Sequence, residues 1–153
     1  MKTFSANDIA TWFILKFAEY GDVVTHLKIQ KLLYFSEAWN QVINDSELFK
    51  EEIQAWAHGP VVLEVFQQYK DYGWKPLPIP NDQDCPKFPA KVLNILLQVF
   101  DSYGELPAKT LENMTHTDRP WIDARGDLAP EERCNTVIPK DQIKSYFKTK
   151  YGM

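Results

Sequence analysis

The chain has 153 residues, of which 25% are charged and 44% hydrophobic, and its net charge is −4. This length and composition predict one globular domain and exclude a disordered chain. The negative net charge disfavours nucleic acid as a partner, since binding to DNA or RNA would release no counterions through the chain as a whole. Two cysteines, Cys85 and Cys134, are too few for a disulfide scaffold, and charged or polar residues interrupt every long apolar run. We therefore expect a cytoplasmic protein without a membrane span.

The first two predicted elements are helices. Ser5 has the side chain of an N-cap, and the apolar positions that follow at helical spacing place residues as far as Tyr20 on an inward face. Gly21 can adopt the left-handed conformation that ends a helix. Thr25 is the predicted cap of a second helix, whose apolar residues extend to Ile43 and cover more than one stripe. This pattern predicts a central helix that is buried on several sides.

The middle of the chain predicts a strand, a third helix and an irregular connection. Residues 52–57 alternate between polar and apolar side chains, as in a strand. His58 and Gly59 then form a break, and Pro60 is placed as the first residue of a helix that Gly73 closes. Residues 74–89 hold five of the ten prolines, so we expect an extended connection inside the single domain 1–153.

The chain from residue 90 onward predicts four more helices and a second strand. A fourth helix covers residues 90–103, and a shorter fifth helix begins at Pro107. Asp118 is the expected N-cap of a sixth, short helix, and the last helix begins after Pro139. Residues 136–138 favour a strand. The predicted fold is mainly α, a compact bundle of about six helices with a small antiparallel strand pair.

Side chains that could carry chemistry are scattered along the sequence. There is no G-x-S-x-G motif and no glycine-rich phosphate loop, and no two soft ligands have the spacing of a metal site. We therefore predict no enzyme activity, no metal and no cofactor. The soft ligands considered are His26, His58, His116, Cys85 and Cys134.

Two surface patterns bear on partners. Lys140, Lys144 and Lys148 recur every four residues on the last helix, which is typical of a solvated face, with DNA binding as the alternative. Trp74 and Trp121 follow turns and not the apolar face of a helix, so the sequence does not indicate that their side chains are buried. Exposed tryptophans favour a protein-binding surface.

Residues 27–35 read LKIQKLLYF, residues 53–62 read IQAWAHGPVV, and residues 115–125 read THTDRPWIDAR. These three segments together resemble one known family, the Panacea domain of SocA-like and GepA-like antitoxins. They occur in the order of the family's signatures, with His58 in place of the usual Tyr and Ala38 where Gly is common. The residues that carry the resemblance are Leu27, Lys28, Gln30, Lys31, Tyr34, Trp39, Trp56, His58, Gly59, Pro60, Val61, Thr115, His116, Pro120, Trp121 and Arg125.

The resemblance implies an antitoxin of a toxin–antitoxin module, of the kind associated with prophages and mobile elements. Such proteins bind and neutralise a cognate toxin directly, and no enzymatic activity is attributed to the domain. The alternatives are a proteolytic adaptor that passes its toxin to a protease, a DNA-binding regulator of the module and, less favoured, an enzyme that reverses a toxin's modification. A chain of this length leaves no room for the accessory DNA-binding module of many members.

The signature residues have two interpretations, structural or partner-binding. Gln30 is placed to bond the backbone of a neighbouring segment, and Lys31 to lay its stem over the core while its ammonium reaches water. The alternative is that these side chains only lock the fold. In that case the partner surface lies elsewhere, on residues 74–89 or on the exposed sides of the first and last helices.

Overall fold

The computed structural model describes residues 3–152 and has seven α-helices and one three-stranded antiparallel sheet within that range. The mainly helical class is therefore confirmed. No helix in the described range is both long and apolar enough to cross a membrane. The helices are α1 (Ala6–Glu19), α2 (His26–Asn44), α3 (Leu63–Tyr69), α4 (Ala90–Tyr103), α5 (Ala108–His116), α6 (Arg119–Arg125) and α7 (Lys140–Lys150). The strands are β1 (Ile53–Trp56), β2 (Gly59–Val61) and β3 (Val137–Ile138), in the order β2-β1-β3.

Helix α2 lies at the centre of the fold, as its broad apolar pattern predicts. The Thr25 side chain accepts a hydrogen bond from the Lys28 amide at 3.4 Å and so caps its first turn. Every residue from 29 to 38 is buried, and helices α1, α4, α5 and α7 all pack against this helix. The polar residues of this stretch must therefore find partners inside the protein.

The predicted side-chain caps of α1 and α2 are confirmed, but two residues assigned to inward faces are exposed. Ser5 Oγ accepts from the Asp8 amide at 3.1 Å, and Gly21 has a φ of +70° after the end of α1. Tyr20 is 70% exposed and Ile43 is 46% exposed. Tyr20 is the C-cap of α1 and Ile43 belongs to the last turn of α2, so both lie where a helix runs past its packing neighbours.

Strand β2 replaces the predicted helix start at Pro60. Ala57 and His58 form a two-residue turn, after which Gly59 pairs with Trp56 and Pro60 with Ala55. Gly59 has a φ of +110°, a conformation that reverses the chain here and that side chains other than glycine rarely adopt. Pro60 fits because β2 is an edge strand, where a residue without an amide hydrogen is tolerated.

The strand pair predicted from residues 52–57 and 136–138 is confirmed as β1 and β3. Ile53 lies opposite Ile138, and the Ala55 amide donates to Thr136 O at 2.9 Å. Ile53 and Ala55 point into the core, whereas Gln54 and Trp56 on the other face of β1 are half-buried. The sheet thus contributes one face to the core and leaves the other partly open.

The proline-rich segment 74–89 is irregular, as predicted, apart from a short 3-10 helix at Asp82–Asp84. Its first part is fixed to the end of the α1–α2 loop. Leu77 is buried, and its amide donates to Val24 O at 2.9 Å. The buried apolar cluster contains residues from before and after this segment.

Candidate functional site

The three segments that carry the resemblance meet at the β1–β2 hairpin. We call the side chains that hold this hairpin, Gln30, Lys31, Thr115, Trp121 and Arg125, the hairpin clasp. Gln30 and Lys31 approach the hairpin from α2, and the other three approach it from α5 and α6. Residues up to 95 positions apart in the sequence therefore hold the same hairpin.

Gln30 bonds the backbone where the hairpin leads into α3, as the sequence predicts. Its Oε1 accepts from the Val62 amide at 2.8 Å, and its Nε2 donates to Val62 O at 3.3 Å. The same Nε2 lies 2.9 Å from Nε2 of His26. Burial, together with the charge of Lys31, lowers the pKa of His26 to about 4, so this ring is neutral and can accept the bond.

Lys31 does not reach water, contrary to the prediction from its sequence position. The side chain is fully buried, and its Nζ donates to Pro60 O at 3.4 Å. Burial lowers the pKa of this amine to about 7, although the charge of Glu112 acts in the opposite direction. The prediction failed because the hairpin turn closes over the end of the side chain, a contact 29 residues away in sequence.

The two clasp residues from α6 donate hydrogen bonds to backbone carbonyl groups of β1. Trp121 Nε1 donates to Trp56 O at 2.8 Å, and Arg125 Nη1 donates to Ala55 O at 3.0 Å. Arg125 Nη2 also donates to Ala129 O and to the carbonyl of residue 132, so the loop after α6 wraps around the guanidinium. Trp121, whose burial the sequence left open, is only 6% exposed and so is not part of an exposed protein-binding surface.

His116 fills the space between this helix pair and the hairpin. Its ring stacks on Trp121 with centroids 4.3 Å apart, and its Nε2 is buried without a hydrogen-bond partner among residues 3–152. Burial is the main cause that lowers its pKa. The ring thus packs against α6 and also bonds the backbone of Ala57 in the hairpin turn.

Asp118 precedes α6 as predicted, but its side chain does not cap the helix. Its Oδ2 accepts from the Tyr34 hydroxyl at 3.0 Å, and its Oδ1 lies 3.4 Å from Lys150 Nζ. Burial raises the pKa of Asp118, while its bonds to Tyr34 and Lys150 oppose this rise. The carboxylate thus joins α2 to α7 instead of completing a helix end.

The remaining signature residues also have mainly internal roles. Lys28 Nζ donates to Gly104 O at the end of α4, and Trp39 Nε1 donates to the Tyr103 hydroxyl at 3.0 Å. Leu27 is half-buried, whereas Val61 and Pro120 are buried in β2 and α6.

His58 is the signature residue most accessible to solvent, with a side chain that is 72% exposed. Its Nδ1 lies 3.1 Å from Oε1 of Glu112, and Lys109 Nζ lies 2.6 Å from the other oxygen of that carboxylate. Burial alone would raise the pKa of Glu112, but the bond and charge of Lys109, with those of His58, lower it. Sequence reasoning missed Glu112, whose local signal is a lysine three residues earlier.

A groove of about 740 Å³ opens beside the hairpin turn, on the half-open face of β1. His58 and Cys134 both line it, an encounter that the sequence did not predict. Trp56 and Phe66 supply aromatic surface, with ring centroids 4.8 Å apart. Its other lining residues include Glu131, Arg133 and Asn135. Across residues 3–152, no group of three His, Cys, Asp or Glu side chains is arranged to hold a metal.

Only part of the lysine stripe of α7 is the solvated face that its spacing indicates: Lys148 is exposed, whereas Lys140 is largely buried. Lys140 Nζ lies 3.0 Å from Oε1 of the buried Glu37 and also contacts Phe49 O. Lys144 pairs with Asp45. Two of the three stripe lysines are thus committed to partners within the protein, which weakens the case for a DNA-binding surface.

Replacing Lys31 with methionine is expected to change how stability depends on pH. Between pH 7 and about 10 the unfolded lysine holds a proton that the folded one has lost, so wild-type stability rises with pH through this window. The free energy of unfolding of Lys31→Met relative to wild type should be greatest at pH 7 or below and should fall towards pH 10. Urea titrations of both proteins at pH 6 to 10 measure this, and a pH-independent difference would contradict the assignment.

Comparison with known families gives one match. Residues 29–122 match the family model described as antitoxin SocA-like, Panacea domain. No match was found among curated proteins or among solved structures. The match runs from α2 through the hairpin to α6, with Leu27, Lys28 and Arg125 just outside its ends. Because it spans more than half of the 153 residues, the chain belongs to this family.

Proposed function

We propose that this member of the SocA-like antitoxin family neutralises a cognate toxin by direct, stoichiometric binding. The match over residues 29–122 carries the proposal, because the family is described by its antitoxin role. The hairpin clasp supports it: Gln30, Lys31 and Arg125 bond backbone groups and shape a scaffold. Their chemistry is used to hold the hairpin, which leaves the surface to meet the partner.

Neutralisation then works by occlusion. A stable complex between two proteins buries about 1,200–2,000 Å² in total, enough to cover the active surface of a small toxin. Such a mechanism consumes one antitoxin per toxin, needs no turnover and leaves the toxin chemically unchanged. The proteolytic adaptor is the variant in which the bound toxin is then degraded, and it shares the binding step.

A specific feature favours one competing function. His58, Glu131 and Cys134 line the same groove, so a ring nitrogen, a carboxylate and a thiol are accessible from one cavity. An enzyme that reverses a toxin's modification would use such a set. The geometry is incomplete for that role, because His58 is hydrogen-bonded to Glu112 and not to Glu131 or Cys134. The carboxylate of Glu112 is also bonded by Lys109. The groove therefore ranks as the alternative site.

Co-expression with the adjoining open reading frame tests the proposal. We expect that gene to arrest growth when it is expressed alone, and growth to be restored with this chain, which should co-purify with the toxin. The variants His58→Ala and Cys134→Ala should restore growth equally well, since binding needs neither group. Toxin levels on an immunoblot should stay constant under occlusion and fall under the adaptor route. If either variant still co-purifies with the toxin but no longer restores growth, the enzymatic function would be favoured over direct neutralisation.

A further inference from the structure

Exposed apolar side chains are concentrated beside the proline-rich connection. Nine large apolar side chains are exposed among residues 3–152, and five of them lie in two short stretches, 20–23 and 72–79. Trp74 is 75% exposed, more than any other of the nine. We call these five residues the Trp74 surface, and its members are Tyr20, Val23, Tyr72, Trp74 and Ile79.

Backbone contacts fix the two stretches side by side. Leu77 N donates to Val24 O at 2.9 Å, and Thr25 and Pro76 form an antiparallel bridge. Leu77 and Val24 are both buried and anchor the stretches to the core. Prolines at positions 76, 78 and 80 further restrict the backbone. The surface is thus held in one conformation before binding, which lowers the entropy cost of forming a complex.

The two ends of this surface are also supported by aromatic contacts. Tyr20 stacks on Phe100 with ring centroids 5.6 Å apart, and Tyr72 lies 6.3 Å from Tyr69. Trp74 is in no ring contact among residues 3–152 and is 75% exposed, so its indole is available to enter a partner. Tryptophan and tyrosine are enriched among the few interface residues that carry most of the binding energy, and such residues fill well-packed pockets.

The area of the surface indicates what covers it. A fully exposed aromatic side chain carries about 150–250 Å² and an aliphatic one less, so at exposures of 37–75% the five residues together expose roughly 600 Å². A standard complex of two different proteins buries about 800 Å² of surface on each partner, and the apolar centre is only part of that area. The area of the Trp74 surface is therefore in the range of such an apolar centre. An obligate dimer needs about 1,000 Å² or more on each side, and two copies would each bring a charge of −4. The area and charge fit a heterologous partner better than a second copy.

We infer that the Trp74 surface is the docking site for the toxin, which inserts Trp74 into an apolar pocket of its own. The inference rests on the proposed function. It takes the partner to be a folded protein with an apolar pocket and a net charge that is neutral or positive. The groove beside His58 stays outside the interface.

Affinity measurements on four proteins test this assignment. Titration calorimetry with the purified toxin of the adjoining gene should give a dissociation constant at least tenfold weaker for Trp74→Glu and for Ile79→Ala than for wild type. Ile43→Ala is the matched control, because Ile43 is an exposed isoleucine at the far end of α2, and its affinity should stay within twofold. All four proteins should melt at the same temperature, since the altered side chains are exposed.

The outcomes separate the inference from the function on which it rests. Wild-type affinity in Trp74→Glu would overturn the docking site and leave the proposed function standing. A toxin that does not bind the wild-type chain at all would overturn both. A wild-type dimer in light scattering that Trp74→Glu converts to a monomer would assign the surface to a second copy and overturn the inference.

Discussion

Gly59→Ala is expected to destabilise the fold by about 3–5 kcal/mol. A Cβ at this position would lie 2.7 Å from Lys31 Cε and 2.9 Å from Thr115 Oγ1. Neither neighbour can move freely, because Lys31 and Thr115 are both fully buried. Overpacking of this kind costs about 1–3 kcal/mol, and a φ of +110° adds about 1–3 kcal/mol of backbone strain. Urea unfolding monitored by circular dichroism measures the loss.

Gly126→Ala is the matched control for this experiment. Gly126 also has a positive φ, +62°, but nothing lies within 4 Å of the Cβ position. Its substitution should therefore show the backbone cost alone, about 1–3 kcal/mol, without the added cost of overpacking. The double variant Gly59→Ala with Thr115→Ala should recover part of the loss. Equal losses for the two glycines would show that the hairpin turn is not packed against the clasp.

Lys140→Met is expected to cost about 3–5 kcal/mol at pH 7, because it leaves a buried carboxylate without its counter-charge. Glu37 has no exposed side-chain surface and lies 3.0 Å from Lys140 Nζ. It also accepts from the amides of Leu48 and Phe49, so it cannot turn out to water. In a chain of this size the melting temperature should fall by roughly 10 °C.

The pH dependence of this variant has a defined sign. Burial already raises the pKa of Glu37, against the opposing effect of Lys140, and removing the lysine raises it further. The folded state then holds a proton that the unfolded state has released, so stability falls as pH rises above about 4.5. The penalty should thus be larger at pH 8 than at pH 5. Lys148→Met, on the same stripe but exposed, should change stability by less than about 0.5 kcal/mol at either pH.

The sequence predicted the helices and their caps better than it predicted the strand pairing and the long-range contacts of the chain. Caps are local, so Ser5, Thr25 and the bounds of α4 could be identified from neighbouring residues. The strand at Pro60 could not be identified in this way, because a proline suits both a helix start and an edge strand. Only the pairing of Pro60 with Ala55, which depends on Gly59, decides between them.

The same limit applies to the polar residues of the core. The bonds of Gln30 could be anticipated because a polar side chain on a buried helix needs a partner. The burial of Lys31 could not, since the segment that covers it is 29 positions away. Lys140 and Asp118 carry local signals for a charged stripe and a cap, but their actual partners, Glu37 and Tyr34, come from α2. Long-range pairing leaves no periodic trace in one sequence.

The surface was predicted in part. Trp74 could be identified as an exposed aromatic because it follows a helix stop and precedes a run of prolines. Tyr20 could not, because helical spacing alone assigns it to the core. The two residues belong to one surface only through the contacts of residues 24 and 25 with residues 76 and 77.

Titration of the toxin's activity with the purified chain, without any protease, tests the central claim most directly. Stoichiometric binding predicts that residual toxin activity falls linearly and reaches its floor at one antitoxin per toxin, with the intact toxin recoverable from the complex. Silencing of a tenfold excess of toxin by the same preparation would contradict it, because only turnover lets one molecule inactivate many.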